Sequence, residues 1–190
     1  MILLMATATE KFSYSLKIPL DRVGVLIGPS GNVKKQLEQD TNTSLLIDSR
    51  EGEVEIISTS GVHLYEAREI VRAIGRGFNP GIAMHLLKQD YALEVVNVDE
   101  FTGKNKNASL RLKGRVIGSE GKAKREIERL TDCVISVYGK TVALVGPVDM
   151  VVHARRAIED LLAGSTHARV YRFLEKKRRE HKIMRIVGSI

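Results

Sequence analysis

Phe12, Tyr14, Leu16 and Ile18 alternate with polar side chains, the two-residue period of a strand with one buried face. Pro19 ends it, because proline cannot donate to a strand ladder. A short helix over roughly 21–27 follows, then a glycine-bracketed turn at 28–31. Val33 and Leu37, four apart, give the next helix an apolar stripe, and Ser30 is placed to cap it. Residues 43–48 and 53–58 predict a hairpin around Arg50-Glu51-Gly52. Ala67, Ile70, Val71 and Ile74 then fall at helical spacing and predict a long closing helix. The predicted order is β-α-α-β-β-α.

The same order returns. Residues 91–98 predict a strand, with Ala92 and Leu93 blurring its alternation, and 99–107 a polar loop. A short helix ending at Ile117, a second glycine-bracketed turn and a helix to Leu130 follow. Residues 133–137 and 141–145 predict a tighter hairpin around Tyr138-Gly139-Lys140. Pro147 suits the start of a final helix running to about Ala163, since its missing N–H costs nothing there. Asn79-Pro80-Gly81 is a turn signal between the copies, residues 82–89 read as a short connecting helix, and 166–182 as an appended basic helix. The boundaries expected are 1–79 for a first domain, 80–90 for the connector, 91–164 for a second domain and 165–190 for a basic helix and tail.

The repeat is visible residue by residue. Gly24-Val25-Leu26-Ile27-Gly28-Pro29-Ser30-Gly31 comes back ninety positions later as Gly114-Arg115-Val116-Ile117-Gly118-Ser119-Glu120-Gly121. Lys34, Leu37, Glu38 and Thr41 are matched in register by Lys124, Ile127, Glu128 and Thr131. That period is too long for a solenoid unit and fits two tandem small domains. Ile-Gly-x-x-Gly between two helices, running into a basic amphipathic stretch, is the phosphate-clamping loop of a KH domain. Glycines let main chain approach a sugar-phosphate strand, and the next helix offers free N–H groups and a partial positive charge. Leu26-Ile27 and Val116-Ile117 are expected to floor a narrow groove, with 45–47 or 134–135 as its other wall. Such a groove holds about four single-stranded nucleotides and excludes a duplex. The fold class expected is α+β: two type I KH domains, each a three-stranded antiparallel sheet packed on three helices, plus a C-terminal helix.

Charge separates the copies. The chain of 190 residues carries a net +7. Residues 1–90 hold ten Lys/Arg against eleven Asp/Glu, whereas 91–190 hold twenty against twelve. Attraction for a polyanion therefore belongs to the second half. Pro29 removes a backbone donor from the first loop, where Lys34 and Lys35 are the only nearby cations. Lys113, Arg115, Lys122, Lys124 and Arg125 surround the second, with Lys104, Lys106 and Arg111 upstream, so its affinity should fall steeply with salt. Glu120 opposes this from inside the loop, and Lys122 is placed to offset it. The second unit is thus the expected RNA clamp, through Gly118, Ser119, Glu120, Gly121, Lys122, Lys124, Arg125, Lys113, Arg115, Val116 and Ile117. The candidates in the first are Gly28, Pro29, Ser30, Gly31 and Lys34. A tail cluster from Arg169 to Arg185 reads either as a further phosphate-contacting arm or as a solvated helix whose Val170, Phe173 and Leu174 pack on the body.

Other chemistry finds little support. Five histidines show no metal-ligand spacing, and neither loop fits G-x-x-x-x-G-K-[ST], so nucleotide hydrolysis is not indicated. Nothing resembles a triad or a paired-carboxylate site; no enzyme activity, metal or cofactor is expected. Five Tyr, four Phe and no Trp argue against a base-stacking sheet of the RRM kind. Cys133 is the sole cysteine, which excludes an intrachain disulfide and suits a reducing cytoplasm. Met1-Ile2-Leu3-Leu4-Met5 is too short to span a membrane and lacks a positive leader, so a frayed end or strand extension is expected there.

The chain also resembles a particular family, the two-KH small-subunit ribosome-assembly factors of archaea and eukaryotes, of the Dim or partner-of-Nob type. The resemblance runs from about Tyr14 to the C-terminal helix. It is densest in Leu112-Lys113-Gly114-Arg115-Val116-Ile117-Gly118-Ser119-Glu120-Gly121-Lys122 and in Val142-Ala143-Leu144-Val145-Gly146. Gly75-x-Gly77-Phe78, Leu162-Ala163-Gly164 and Val170-Tyr171 add to it. It implies binding of single-stranded rRNA near the 3′ end of the small-subunit rRNA, beside the endonuclease that matures that end, and association with a translation-initiation factor subunit. Carried over by position, the RNA contacts are Gly118, Ser119, Gly121, Lys122, Lys124 and Arg125. Eukaryotic members often lack the first clamp, so Gly28-Pro29-Ser30-Gly31 points to a shorter, archaeal-like member. A general KH binder of mRNA or small RNA, or a protein-interaction scaffold, are the alternatives.

Overall fold

Each predicted repeat folds as its own sheet-and-helix unit in a computed structural model that describes residues 11–103 and 105–187. The 1–5 segment and Lys104 lie outside the described residues, as does the side chain of Arg185. The chain divides into Met1–Gly75 and Arg76–Ile190.

In the first unit the order is β1 (Phe12–Lys17), α1 (Leu20–Ile27), a 3-10 turn (Pro29–Gly31), α2 (Asn32–Thr41), β2 (Ser44–Asp48), β3 (Glu53–Ser58) and α3 (Gly61–Gly75). The antiparallel sheet runs β1-β3-β2, so the hairpin strand β2 is an edge. Ile56 stands opposite both Tyr14 and Leu45, which sets those three side chains on one face. Leu26, Leu37, Leu45, Ile56, Ile70 and Ile74 fill the space between that face and the helices. The alternation in β1 is real, but its outer end is not buried. Phe12 and Tyr14 remain 46% and 39% exposed. The Arg68 guanidinium lies 5.3 Å from the Tyr14 ring and 4.8 Å from Tyr65, a cation–π cover rather than a core.

The second unit repeats the plan with β4 (Tyr91–Asn97), α5 (Asp99–Thr102), α6 (Lys106–Ile117), a 3-10 turn (Ser119–Gly121), α7 (Lys122–Thr131), β5 (Val134–Tyr138), β6 (Thr141–Pro147) and α8 (Val148–Leu162). Its sheet runs β4-β6-β5. Before β4 come α4 (Pro80–Ala83) and a 3-10 turn (Met84–Leu87); after α8 comes α9 (His167–Val187). The apolar run Val142-Ala143-Leu144-Val145 is buried along its whole length, as a strand covered on both faces must be. Ile135, Leu144, Ile158 and Leu161 form the helix-side core, and α9 joins it through Val170 and Leu174.

Three expectations are corrected. The polar stretch 99–107 is not all loop: it contains α5, and α6 begins at Lys106, where the Asn105 side chain accepts the Ala108 N–H at 3.1 Å. Ser30 does not cap α2; Gly31 occupies that position, and Ser30 is itself left-handed at φ 53°. The division between units falls at 75/76 and not at 79/80. The Ser136 hydroxyl donates to the Arg76 carbonyl at 2.8 Å, and a Cβ on Gly77 would stand 2.7 Å from that same hydroxyl oxygen. Residues 76–78 therefore lie against β5, and the turn signal at 79–81 sits inside the second unit.

Candidate nucleic-acid interface

Two loops built on the same backbone carry the candidate site. Gly28 and Gly118 have φ/ψ of 71°/174° and 72°/173°; Gly31 and Gly121 have 76°/13° and 75°/14°. Between them Ser30 (53°, 24°) and Glu120 (52°, 26°) are left-handed without being glycine. Such a residue costs about 1–2 kcal/mol, and the repetition shows that both loops hold the same fixed turn.

The glycines do different jobs. A Cβ on Gly118 would lie 2.6 Å from the Ala123 Cβ and 2.7 Å from its backbone nitrogen; at Gly28 the obstacle is Val33. The first glycine of each loop is thus demanded by the helix that follows, not by a ligand. At Gly31 a Cβ would meet nothing within 4 Å, and at Gly121 only the movable tip of Arg125, 3.2 Å away. Open main chain for a sugar-phosphate strand lies at the second glycine, with Ser119 and Glu120 exposed beside it. Ser119–Gly121 leads directly into α7, so the positive end of that helix lies at the loop, although its first N–H, that of Lys122, already donates to the Ser119 carbonyl.

Several candidate side chains serve elsewhere. Val116 is fully buried, as is its counterpart Leu26, so the groove floor consists of Ile117, 38% exposed, and the half-buried Ile27. Leu45 and Ile135 likewise face the core. Arg115 does not reach toward the groove: Nε donates to the Leu161 carbonyl at 3.2 Å and an Nη to the Ser165 carbonyl at 2.6 Å. In return His167 Nε2 donates to the Arg115 carbonyl at 2.9 Å, which fastens the start of α9 to the end of α6. Lys113 reaches the Gly139 carbonyl at 3.1 Å. In this fold the two cations, expected as phosphate contacts, are engaged as ties between elements.

Gly118, Ser119, Glu120, Gly121, Lys122, Lys124 and Arg125 are consecutive or nearly so along the loop and the first turn of α7. Lys122 pairs with Glu120 at 3.5 Å, both more than 70% exposed, so water screens the pair and a phosphate can compete for the lysine. Lys124 leans on Glu128 at 3.7 Å, and Glu128 accepts the Ile135 N–H at 2.8 Å. Lys34, Glu38 and the Leu45 N–H repeat the arrangement at 3.9 and 2.7 Å. This carboxylate ties the helix after the clamp to the edge strand, setting the width of the groove between them. Sequence reasoning matched the residues in both copies without assigning them this role. The lysine-to-glutamate spacing of four was the available signal.

Burial pushes the Cys133 thiol up to about 11, so it stays protonated at neutral pH. Among the described residues no group of three or more His, Cys, Asp or Glu is placed to hold a metal ion, and no helix is long and apolar enough to cross a membrane.

Residues 92–179 match the eukaryotic type KH-domain (KH-domain type I), and residues 13–73 match the KH domain. A KH domain-containing protein of Methanocaldococcus jannaschii is 50% identical over 171 residues, covering 88% of this chain and 74% of that protein. Dim2p from Pyrococcus horikoshii superposes with a TM-score of 0.81 at 43% identity, over 87% of this chain and 99% of that one. A chain of the a/eIF2alpha-aDim2p-rRNA complex from the same organism gives 0.83 at 42% identity, over 90% and 96%. A protein of unknown function from Aeropyrum pernix gives 0.90 at 36%, over 95% and 97%. With a type I KH domain in each half and this likeness along nearly its whole length, the chain belongs to the family of two-KH-domain RNA-binding proteins that includes archaeal Dim2p.

Proposed function

We propose that this protein is a non-enzymatic assembly factor of the small ribosomal subunit, which grips single-stranded rRNA near the 3′ end of the small-subunit rRNA through its second clamp loop. The observation that carries the reading is the 118–121 loop itself: half-buried main chain at Gly121 approached only by the tip of Arg125, a helix start behind it, and Lys122, Lys124 and Arg125 within one turn. Each phosphate held there releases counterions, while the flanking apolar floor at Ile117 offers bases a dry surface. The first loop has the same backbone but lacks Pro29's N–H and the surrounding cations, so it contributes less. Kinship with an aDim2p found together with rRNA and a/eIF2alpha supports rRNA as the ligand and an initiation-factor subunit as a protein partner. The neighbouring 3′-end endonuclease rests on the family resemblance, and a cytoplasmic location on the single buried thiol and the ribosomal role.

Fluorescence anisotropy with an oligonucleotide copying the rRNA 3′ end, against a scrambled one, tests the assignment. The native 3′-end sequence is expected to bind more tightly. Ser119→Asp with Lys122→Asp puts carboxylates where phosphate lies and is expected to cost at least about 2 kcal/mol, or roughly thirtyfold in Kd. Equal binding of both sequences would favour a general KH regulator, and undiminished binding by the double variant would remove the loop from the interface.

A further inference from the structure

The clamp's cations Lys122 and Arg125 begin a row that continues along the outer face of α7 to Arg129, which the clamp does not use. Lys122, Arg125 and Arg129 lie at i, i+3 and i+7, so they form one row along the exposed side of the helix. The row starts at the loop and ends about 10 Å further on, at the rise of an α-helix. There it meets a cleft between α7 and α9 of about 560 Å³, within the range that admits a nucleotide-sized ligand. Arg178, Arg179 and Lys182 line it from α9, where i, i+1 and i+4 share a face with Glu175.

Acidic groups reduce this field without cancelling it. Glu126 holds Arg129 at 2.6 Å, and Asp132 stands 4.0 Å from Arg178. His181, which also lines the cleft, is engaged by Asp149. Arg179 and Lys182 are exposed and line the cleft, which has more cations than carboxylates. A row of cations continuous with a phosphate clamp is complementary to a chain of phosphates, and to little else of regular spacing.

We infer that the α7 ridge and the α7–α9 cleft form a second subsite for the backbone of single-stranded RNA, holding the nucleotides that flank those in the clamp. This rests on the clamp reading, extends the footprint beyond about four nucleotides, and gives the basic C-terminal helix a ligand. It binds by charge and therefore without sequence preference.

The test compares the full chain on two single-stranded RNAs sharing one core, a tetranucleotide and an oligomer of roughly twelve nucleotides. Arg179→Glu with Lys182→Glu should weaken the long RNA about tenfold or more and change the short one less than about twofold. The salt dependence of the long complex should flatten by roughly 0.7 in log–log slope per phosphate released. Arg179→Gln with Lys182→Gln, which cannot repel the fold, should give the same pattern at smaller size. Equal losses on both lengths, or none on the long RNA, overturn the inference; an acidic protein as the true occupant would give the latter. Gly121→Asp separates the two claims. It should abolish binding of the tetranucleotide, and if it does not, the clamp reading fails while the length effect still decides the cleft.

Discussion

At the scale of single residues, the repeated glycines resolve into a packing position and a contact position. Gly118 is held at φ 72° with Ala123 against the place a side chain would fill, whereas Gly121 faces open space apart from Arg125. Gly118→Ala should therefore lower stability by about 2–3 kcal/mol, combining a glycine-only backbone with a clash against main chain. Gly121→Ala should cost about 1 kcal/mol, since a left-handed φ is its main penalty. Urea unfolding midpoints measure both, and equal losses would show that the two positions are not distinct. Sequence spacing located both glycines and the basic residues after them. It did not show which way each missing side chain points, because that depends on the path of the following helix. Arg115 is similar: in sequence it is a cation beside a clamp, and only folding brings the Leu161 and Ser165 carbonyls to it.

At the scale of elements, the helices and hairpins were legible wherever one face is buried and the other wet, because that produces the period being read. β6 broke the rule with an unbroken apolar run, and the reason is cover on both faces. α5 and the start of α6 were hidden because Asn105, the capping residue, stands inside a polar stretch that resembles a loop. The ties between elements left weaker traces, the carboxylate at 128 among them. Glu128→Ala removes the acceptor for the Ile135 N–H and should cost about 1–3 kcal/mol of stability while weakening RNA binding, since the groove loses its fixed width. Glu128→Gln keeps an acceptor and loses only the partly exposed pair with Lys124, so it should cost less than about 1 kcal/mol. The glutamine variant should also steepen the salt dependence of RNA binding, because Lys124 is released toward phosphate. Indistinguishable unfolding curves for the two variants would show that the hydrogen bond does not hold the strand.

At the scale of the whole molecule, duplication and unequal charge define the division of labour. Both units keep the loop backbone, yet the cations gather on residues 91–190. The duplication was plain in the sequence and so was the asymmetry. The true border between units was not, because Asn79-Pro80-Gly81 marks a local turn, while the contacts of Arg76 and Gly77 with Ser136 decide which body the segment joins. The most direct measurement is amide chemical-shift mapping of the full chain with a tetranucleotide of single-stranded RNA. Binding at the second clamp predicts that the largest shifts fall on residues 117–125 and along β5. Shifts confined to 28–35, or to a surface away from both loops, would contradict it.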